Sequence, residues 1–237
     1  FVADVCYWFG EGAPVNVENM SLALPAGYDY DFVSPENVLQ MKVENGEIVL
    51  PAGARYRYLL LPDTDRITAP LARKILELAG AGARVIAPRK LVGSPSLAEY
   101  PRGDEEVARI GESLWAQRRV VAGKSVEEAF RLDGLQPDFE GEGLLYIHRR
   151  VGGADLYFVS HQEDRPVDRV CRFRAAGRQP ELWDPESGAV RDLPDYTVSG
   201  GRTSIPLHFE PMQSLFVVFR KPGKAPGGGR RLNFASP

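Results

Sequence analysis

Residues 58–88 read YLLLPDTDRITAPLARKILELAGAGARVIAP and carry the clearest fold signal in this chain. The apolar run at residues 58–61 predicts a buried strand. Apolar residues then recur at helical spacing after Thr68, which can cap the helix, and the next glycines can end it. A second apolar run at residues 84–87 follows at once. Strand, helix and strand joined by a short exit loop form a βαβ unit, which implies a parallel sheet.

The segments around this unit extend the same pattern. Further strands are predicted at residues 2–9, 41–43, 47–50 and 119–122, and further helices at residues 104–115 and 125–132. Asn45-Gly46 between two apolar runs is a strong hairpin signal, and Ser125 with Glu128 predicts a capping box at a helix start. Residues 1–140 are therefore predicted to form an α/β layer domain of the flavodoxin-like kind.

The helical period disappears after Gly141. Residues 144–151 and 154–160 read as strands joined by Gly152-Gly153, which is typical of a two-residue hairpin loop. Several short strands separated by turn signals follow, and this pattern predicts a small antiparallel β-sandwich over residues 141–221. Residues 222–237 are rich in Gly, Pro and basic side chains, and they are predicted to be a flexible linker to a further domain.

The composition is that of an ordinary globular protein, with 43% hydrophobic and 26% charged residues. A formal net charge of −3 without a clustered basic stripe argues against a nucleic-acid partner. No apolar run reaches the roughly 18–20 residues of a membrane span, so no membrane partner is expected. The two cysteines, Cys6 and Cys171, support neither a disulfide framework nor a zinc site, and buried free thiols are expected. The chain begins with Phe1 and shows no signal-peptide pattern, so it is expected to be a piece of a longer protein.

Acidic and aromatic residues alternate in the stretch Pro25-Ala-Gly-Tyr-Asp-Tyr-Asp31. In an extended chain Asp29 and Asp31 point one way, and Tyr28 and Tyr30 point the other. Carboxylates beside aromatic rings suit a sugar, because oxygens accept hydroxyl hydrogen bonds while rings cover C–H faces. Together with Glu11, which follows the first strand, these residues are the candidate substrate-binding set. The alternative is a solvated surface turn that bends at Gly27.

Residues for bond-breaking chemistry are not evident. Cys6 lies inside an apolar strand without a nucleophile elbow, and the alternation of their strands predicts edge or surface positions for all three histidines. Glycoside hydrolysis needs two carboxyl groups at a defined separation, and no spacing among the acidic residues shows such a pair. Trp183 lies at a predicted strand end, and its ring is predicted to fill the core of the sandwich. The alternative is that the ring is exposed and stacks against a sugar. No catalytic and no metal-binding residue is predicted.

Several stretches, in this order and spacing, resemble the family 106 glycoside hydrolases, the large bacterial α-L-rhamnosidases. They are Val5-Cys-Tyr-Trp-Phe-Gly-Glu-Gly-Ala-Pro14, Gly27-Tyr-Asp-Tyr-Asp-Phe-Val33, Tyr58-Leu-Leu-Leu-Pro62, Gly82-Ala-Arg-Val-Ile-Ala-Pro88, Ser94-Pro-Ser-Leu97, Ile147-His-Arg149, Ala154-Asp-Leu-Tyr-Phe-Val-Ser160, Gly177-Arg-Gln-Pro-Glu-Leu-Trp-Asp-Pro185 and Phe216-Val-Val-Phe-Arg220. Arg231-Leu-Asn-Phe234 resembles the lead-in to the family's galactose-binding-like module.

The resemblance implies that this chain is an internal, non-catalytic segment. In that family the barrel with the catalytic glutamates lies N-terminal to a segment like this one, so the partners would be that barrel, the galactose-binding-like domain and a carbohydrate substrate. The first part would resemble a class I glutamine amidotransferase domain that has lost its nucleophile. No cofactor is expected in this segment; the calcium of such enzymes would have its ligands mostly elsewhere. The parent protein would be bacterial and secreted or periplasmic. The alternative is a stand-alone carbohydrate-binding or interaction module.

Overall fold

The computed structural model describes residues 1–12, 22–223 and 233. The chain divides into two compact units, an N-terminal unit (Ala3–Leu135) and a C-terminal unit (Gln136–Pro237 together with Phe1–Val2). The predicted linker over residues 222–237 lies outside the described residues, apart from positions 222, 223 and 233.

The N-terminal unit is built around a parallel sheet. Its elements are β1 (Val5–Trp8), β2 (Tyr30–Val33), α1 (Pro35–Gln40), β3 (Lys42–Glu44), β4 (Glu47–Val49), β5 (Arg55–Tyr56), β6 (Tyr58–Leu60), α2 (Ala69–Gly80), β7 (Arg84–Ala87), α3 (Arg102–Trp115), β8 (Val120–Ala122) and α4 (Val126–Asp133). The parallel strands lie in the order β2-β1-β6-β7-β8, while β3, β4 and β5 form a small antiparallel sheet. Strands β6 and β7 pair in parallel on either side of α2, as the sequence predicts.

Local signals explain the helix and hairpin ends. The Ser125 hydroxyl accepts the Glu128 backbone N–H while the Glu128 carboxylate accepts the Ser125 N–H, so the predicted capping box of α4 is confirmed. Helix α4 ends at Gly134, which adopts φ +63°. The hairpin between β3 and β4 turns at Asn45 and Gly46, both with positive φ, as this dipeptide favours.

Each face of the parallel sheet buries its own apolar cluster. Cys6, Leu59 and Val85 pack on the face covered by α2 and α3. Their neighbours along the strands pack on the opposite face, where Phe130 of α4 joins the cluster and Tyr28 packs partly buried against it. The sheet is therefore buried on both sides, which is why its strands read as continuous apolar runs instead of alternating ones.

The predicted fold class, a flavodoxin-like or amidotransferase-like α/β layer domain followed by a small antiparallel β-sandwich, is wrong. Strands make up 38% of the structure and helices only 19%, and three of the four sheets in the described residues are antiparallel. A flavodoxin-like layer needs a helix in each crossover between parallel strands. The crossover from β2 to β6 instead holds the six-residue α1 and the antiparallel sheet of β3, β4 and β5. The regular βα alternation is lost there.

The C-terminal unit consists of antiparallel strands. They are β9 (Phe139–Glu140), β10 (Leu144–Val151), β11 (Ala154–His161), β12 (Val167–Phe173), β13 (Arg178–Trp183), β14 (Val190–Asp192), β15 (Thr197–Ser199), β16 (Arg202–Phe209) and β17 (Ser214–Pro222). They form a five-stranded sheet, β10-β11-β17-β13-β14, and a four-stranded sheet, β15-β16-β12-β9. Both sheets contribute to one apolar core, including Tyr157 and Phe219 from the first and Phe173 and Phe209 from the second.

Both cysteines are free and buried, one in each unit, which confirms the prediction of inert thiols. Burial raises the pKa of the Cys6 thiol to about 12, with a further contribution from the Asp31 carboxylate. Burial likewise raises the pKa of Cys171 to about 12. Neither thiol is a thiolate at neutral pH, so neither can act as a nucleophile there. Within the described part of the chain, no helix has the length and apolar character needed to cross a membrane.

Candidate functional site

An open cavity of about 800 Å³ lies in the N-terminal unit at the carboxyl ends of its parallel strands. Its walls include Tyr7 of β1, Asp63 after β6, Lys124 after β8 and residues 22–25. Ligands of open α/β sheets bind at this edge, because loops rather than paired backbone project there. Position and volume therefore make this cavity the candidate binding site of the unit.

The polar groups of the cavity are few and of mixed charge. Tyr7 is half-buried, and burial together with the nearby Asp63 carboxylate raises the pKa of its phenol. The Asp63 carboxylate accepts a hydrogen bond from Arg89 Nε at 2.6 Å, which lowers the pKa of Asp63. Lys124 Nζ lies 3.6 Å from the Glu128 carboxylate. A phenol, a carboxylate and an ammonium beside apolar walls can bind hydroxyl groups of a polyol.

Glu11 does not line this cavity but holds the start of α2. Its two carboxylate oxygens accept the backbone N–H and the hydroxyl of Thr68, each at 2.7 Å. Thr68 occupies the N-cap position, yet its own side chain makes no capping bond. A carboxylate at this place satisfies an otherwise unpaired N–H and favours the positive end of the helix. The sequence placed Glu11 in a sugar site; the structure places it at a helix cap.

The four residues from Tyr28 to Asp31 lie just before and at the start of β2 and are held by hydrogen bonds. The Tyr28 hydroxyl donates to the Leu135 carbonyl at 2.7 Å, and the Tyr30 hydroxyl accepts the Leu22 N–H at 3.3 Å. The Asp31 carboxylate accepts the Tyr56 hydroxyl at 3.0 Å.

The Asp29 carboxylate accepts the Tyr30 N–H at 2.9 Å, and its backbone carbonyl accepts the N–H of Asp4 at 3.1 Å. None of the five predicted site residues is among the residues lining the cavity. Tyr30 nevertheless supports the cavity wall, because its hydroxyl accepts a hydrogen bond from the N–H of Leu22, which is a lining residue.

The residues that do line the cavity were not predicted from the sequence. Tyr7 lies within an apolar strand, while Asp63 and Lys124 are single charged residues in short loops. A usable signal existed: Asp63 follows the Pro62 that closes β6, and Lys124 follows a glycine that closes β8. Residues just past the carboxyl ends of adjacent parallel strands converge in space whatever their separation in the chain.

Two of the three histidine predictions are wrong. His148 and His161 are buried, and only His208 is partly exposed. His148 Nδ1 lies 2.8 Å from Asp138 and its Nε2 lies 3.1 Å from Asp155. Its ring stacks on Tyr157 at 3.9 Å between centroids, so this histidine is part of the core of the C-terminal unit.

The C-terminal unit brings three acidic residues, Asp168, Asp184 and Glu210, to a second cavity of about 550 Å³. His208 contacts Asp168 at 2.7 Å and Glu210 at 3.4 Å. The side chains of Asp168 and Glu210 are 78% and 65% exposed. A general acid needs a carboxyl group kept protonated by burial, which these two lack. In the residues that the structure describes, no group of three or more His, Cys, Asp or Glu could hold a metal ion.

Trp183 does not plug the core as the sequence predicted. Its ring is half-buried and is absent from the core cluster of the C-terminal unit, although the neighbouring Leu182 belongs to it. The Arg220 guanidinium lies 5.1 Å from the centre of the indole ring. This cation–π contact covers one face of the ring.

Comparison with known proteins agrees with the resemblance seen in the sequence. The sequence model of glycoside hydrolase family 106, described as alpha-L-rhamnosidase, matches residues 1–198. A putative beta-glucuronidase from Formosa agariphila is 34% identical in an alignment of 235 positions that covers 94% of this chain and 20% of that protein. The structure of a rhamnosidase from Novosphingobium sp. PP1Y superposes with a TM-score of 0.83 at 29% identity, over 99% of this chain and 24% of that one.

The chain thus spans about a fifth of the curated relative and a quarter of the solved rhamnosidase. The family match covers well over half of the chain, and it includes the whole N-terminal unit with most strands of the C-terminal unit. The predicted family is confirmed: this chain belongs to glycoside hydrolase family 106, the α-L-rhamnosidases.

Proposed function

We propose that this chain is a non-catalytic segment of an α-L-rhamnosidase-like glycoside hydrolase that acts on a rhamnose-containing polysaccharide. The observation that carries the proposal is the match to the rhamnosidase family together with the small share of the solved rhamnosidase that the chain covers, 24%. A catalytic carboxylate pair would come from elsewhere in the parent protein, as would any calcium ligands. The parent would be a secreted or periplasmic bacterial enzyme, with a barrel and a galactose-binding-like domain as neighbours of this segment.

The engagement of the acidic residues supports a non-catalytic role. The carboxylates of Glu11, Asp29 and Asp31 each accept hydrogen bonds from the fold itself. A retaining or inverting mechanism needs one carboxyl group that stays protonated and a second across the scissile bond. The fold instead uses these three groups to fix a helix start and the strand β2.

The same segment is proposed to contribute to substrate binding through the cavity at the carboxyl ends of the parallel strands. Tyr7 and Asp63 would contact sugar hydroxyls. Glu11 and the residues Tyr28, Asp29, Tyr30 and Asp31 would shape the mouth of the site by fixing the segments around it. A stand-alone carbohydrate-binding module using Trp183 has less support, because the Arg220 guanidinium already covers that ring.

Steady-state kinetics of the parent protein test this proposal with p-nitrophenyl α-L-rhamnoside, p-nitrophenyl β-D-glucuronide and a rhamnose-containing polysaccharide. We expect turnover of the rhamnoside and none of the glucuronide. On the polysaccharide, Asp63→Asn should lower kcat/KM roughly five- to tenfold through the loss of about 1–1.5 kcal/mol of hydrogen bonding.

The exposed Asp168→Asn in the C-terminal unit is the matched control and should leave kcat/KM unchanged. A parent protein that cleaves only the glucuronide would refute the proposed activity. Equal kcat/KM for Asp63→Asn and wild type would show that Asp63 in this cavity does not contact the substrate.

A further inference from the structure

A second cavity of the N-terminal unit lies at the opposite edge of its parallel sheet and is lined by four arginines. It measures about 930 Å³, and its cationic residues are Arg57, Arg84, Arg118 and Arg119. We refer to it as the arginine cleft. The proposed function of the chain makes no use of this cleft, and nothing in the family match assigns it a role.

The topology of the sheet brings these arginines together. Arg57 precedes β6, Arg84 is the first residue of β7, and Arg119 directly precedes β8. These strands are neighbours and run in parallel, so their amino ends meet at one edge. The Val85 N–H donates to the Arg119 carbonyl at 3.2 Å, which fixes the turn carrying Arg118 and Arg119 against β7.

Two of the arginines have their charge balanced inside the fold. Arg84 Nε and Nη2 donate to the two oxygens of Asp133 at 2.9 and 2.8 Å, and its third nitrogen donates to the Arg118 carbonyl at 2.8 Å. Arg57 Nε lies 3.2 Å from the carboxylate of the buried Asp4. These contacts are structural, because they tie the amino ends of the strands to the end of α4 and to the start of β1.

Arg118 and Arg119 are different, since both are exposed and neither side chain has a hydrogen-bond or ion-pair partner among the described residues. The other carboxylate of the cleft, Glu47, lies 3.7 Å from Arg55 and is shared with that residue. Carboxylates balance the charges of Arg57 and Arg84, but not those of the consecutive residues Arg118 and Arg119. The cleft therefore has a local excess of positive charge. The whole chain carries a formal net charge of −3, so this local excess does not follow from the overall charge of the chain.

We propose that the arginine cleft binds an acidic glycan through a carboxylate or sulfate group, with Arg118 and Arg119 as its principal contacts. The planar guanidinium suits both groups, because it donates two parallel N–H bonds to a carboxylate or a sulfate. The Tyr58 hydroxyl, which donates to Asp133 at 2.9 Å, lies at the wall of the cleft, while the Tyr58 ring is buried against Phe130. That the anion belongs to a glycan rests on the proposed function; that the cleft binds an anion does not.

Calorimetric titration of the 237-residue chain at low salt tests the site with three probes: inorganic sulfate, tetragalacturonate and neutral cellotetraose. We expect tetragalacturonate to bind, sulfate to bind more weakly and cellotetraose to give no heat. Amide NMR signals around residues 118–120 should shift with the first two probes. The double variant Arg118→Ala/Arg119→Ala should weaken tetragalacturonate binding at least roughly tenfold, since it removes both charge-assisted contacts.

The matched control removes two exposed arginines elsewhere, Arg102→Ala/Arg149→Ala, with the same change in net charge. It should leave binding unchanged. The proposed anion site would be refuted if both double variants weakened binding equally. It would also be refuted if sulfate and tetragalacturonate gave no heat with the wild type. Sulfate binding without tighter tetragalacturonate binding would overturn the assignment to a glycan. A parent protein that hydrolyses no glycoside would leave all these heats unaltered, so the two proposals fail separately.

Discussion

Replacing Asp138 by alanine is expected to lower the free energy of unfolding of the C-terminal unit by about 3–5 kcal/mol, the range for breaking a buried ionic network. Asp138 is only 3% exposed. Its carboxylate accepts the Tyr157 hydroxyl at 3.1 Å, contacts His148 Nδ1 at 2.8 Å and lies 3.4 Å from Arg174. Without Asp138, polar groups of His148 and Tyr157, which are 1% and 0% exposed, lose this hydrogen-bond partner while buried away from the surface.

The same variant should change how stability depends on pH. Burial lowers the pKa of His148, but hydrogen bonds and charges from Asp138 and Asp155 outweigh it, so the pKa of His148 is raised. A raised pKa in the folded state means that protonated His148 stabilises the fold below about pH 6.5. That contribution is lost as the pH rises through the folded-state pKa. Removing Asp138 takes away a main cause of the raised pKa, so this loss of stability with rising pH should shrink.

Native-state hydrogen exchange of amides in β11 and β17, followed across pH 5 to 8, measures both effects. Asp168→Ala is the matched control, because Asp168 also contacts a histidine, His208, at 2.7 Å, but with a side chain that is 78% exposed. It should change stability by less than about 0.5 kcal/mol. If Asp138→Ala and Asp168→Ala lower the free energy of unfolding by similar amounts, the buried network does not stabilise the fold more than the exposed pair does.

Gly111→Ala is expected to destabilise the N-terminal unit by about 1–3 kcal/mol, although alanine favours helices over glycine by about 1 kcal/mol. Gly111 lies inside α3, and an added Cβ would come 2.1 Å from the backbone oxygen of Leu91. A backbone carbonyl cannot rotate aside as a side chain does, so the helix and the Leu91 segment must move apart. Apolar contacts between them would be lost in the process.

Gly80→Ala in α2 is the control for this substitution, because a Cβ there has no atom within 4 Å. It should leave the stability unchanged or raise it slightly. Urea denaturation of the two variants, with hydrogen exchange of amides in β7 as a local readout, separates packing from helix propensity. If Gly111→Ala proves as stable as Gly80→Ala, the close approach of α3 to Leu91 is not a real constraint.

Local signals in the sequence predicted local structure well. Ser125 and Glu128 predicted a capping box, and Asn45-Gly46 a hairpin, because each motif satisfies its own backbone without help from distant residues. The fold class failed for a non-local reason. Nothing near residues 41–50 indicates that their hairpin lies inside a crossover between two parallel strands, where a flavodoxin-like layer would have a helix.

The histidine errors have a clear physical cause. An edge or surface position was predicted for His148 because it alternates with the apolar Ile147 along its strand. In the structure Leu145 and Ile147 are exposed, while Leu144 and His148 face the core. The predicted alternation of buried and exposed residues was correct, but its phase was reversed. Two features caused this: the outer face of the strand is also apolar, and the buried histidine is paired with two aspartates.

The candidate site was predictable only in part. Opposite faces for Tyr30 and Asp31, the first two residues of β2, follow from strand geometry. The roles of these side chains did not, because their partners Tyr56, Leu135 and Leu22 come from other segments. The cavity beside them depends on loops that meet only once the parallel sheet is assembled.

We propose that this chain lacks bond-breaking machinery and serves a larger sugar-cleaving enzyme. Incubation of the purified 237-residue chain with p-nitrophenyl α-L-rhamnoside, beside the parent protein at equal molar concentration, tests it most directly. The account predicts p-nitrophenol release by the parent and none above the buffer blank by the chain alone. Release by the chain that persists through repeated purification would contradict it.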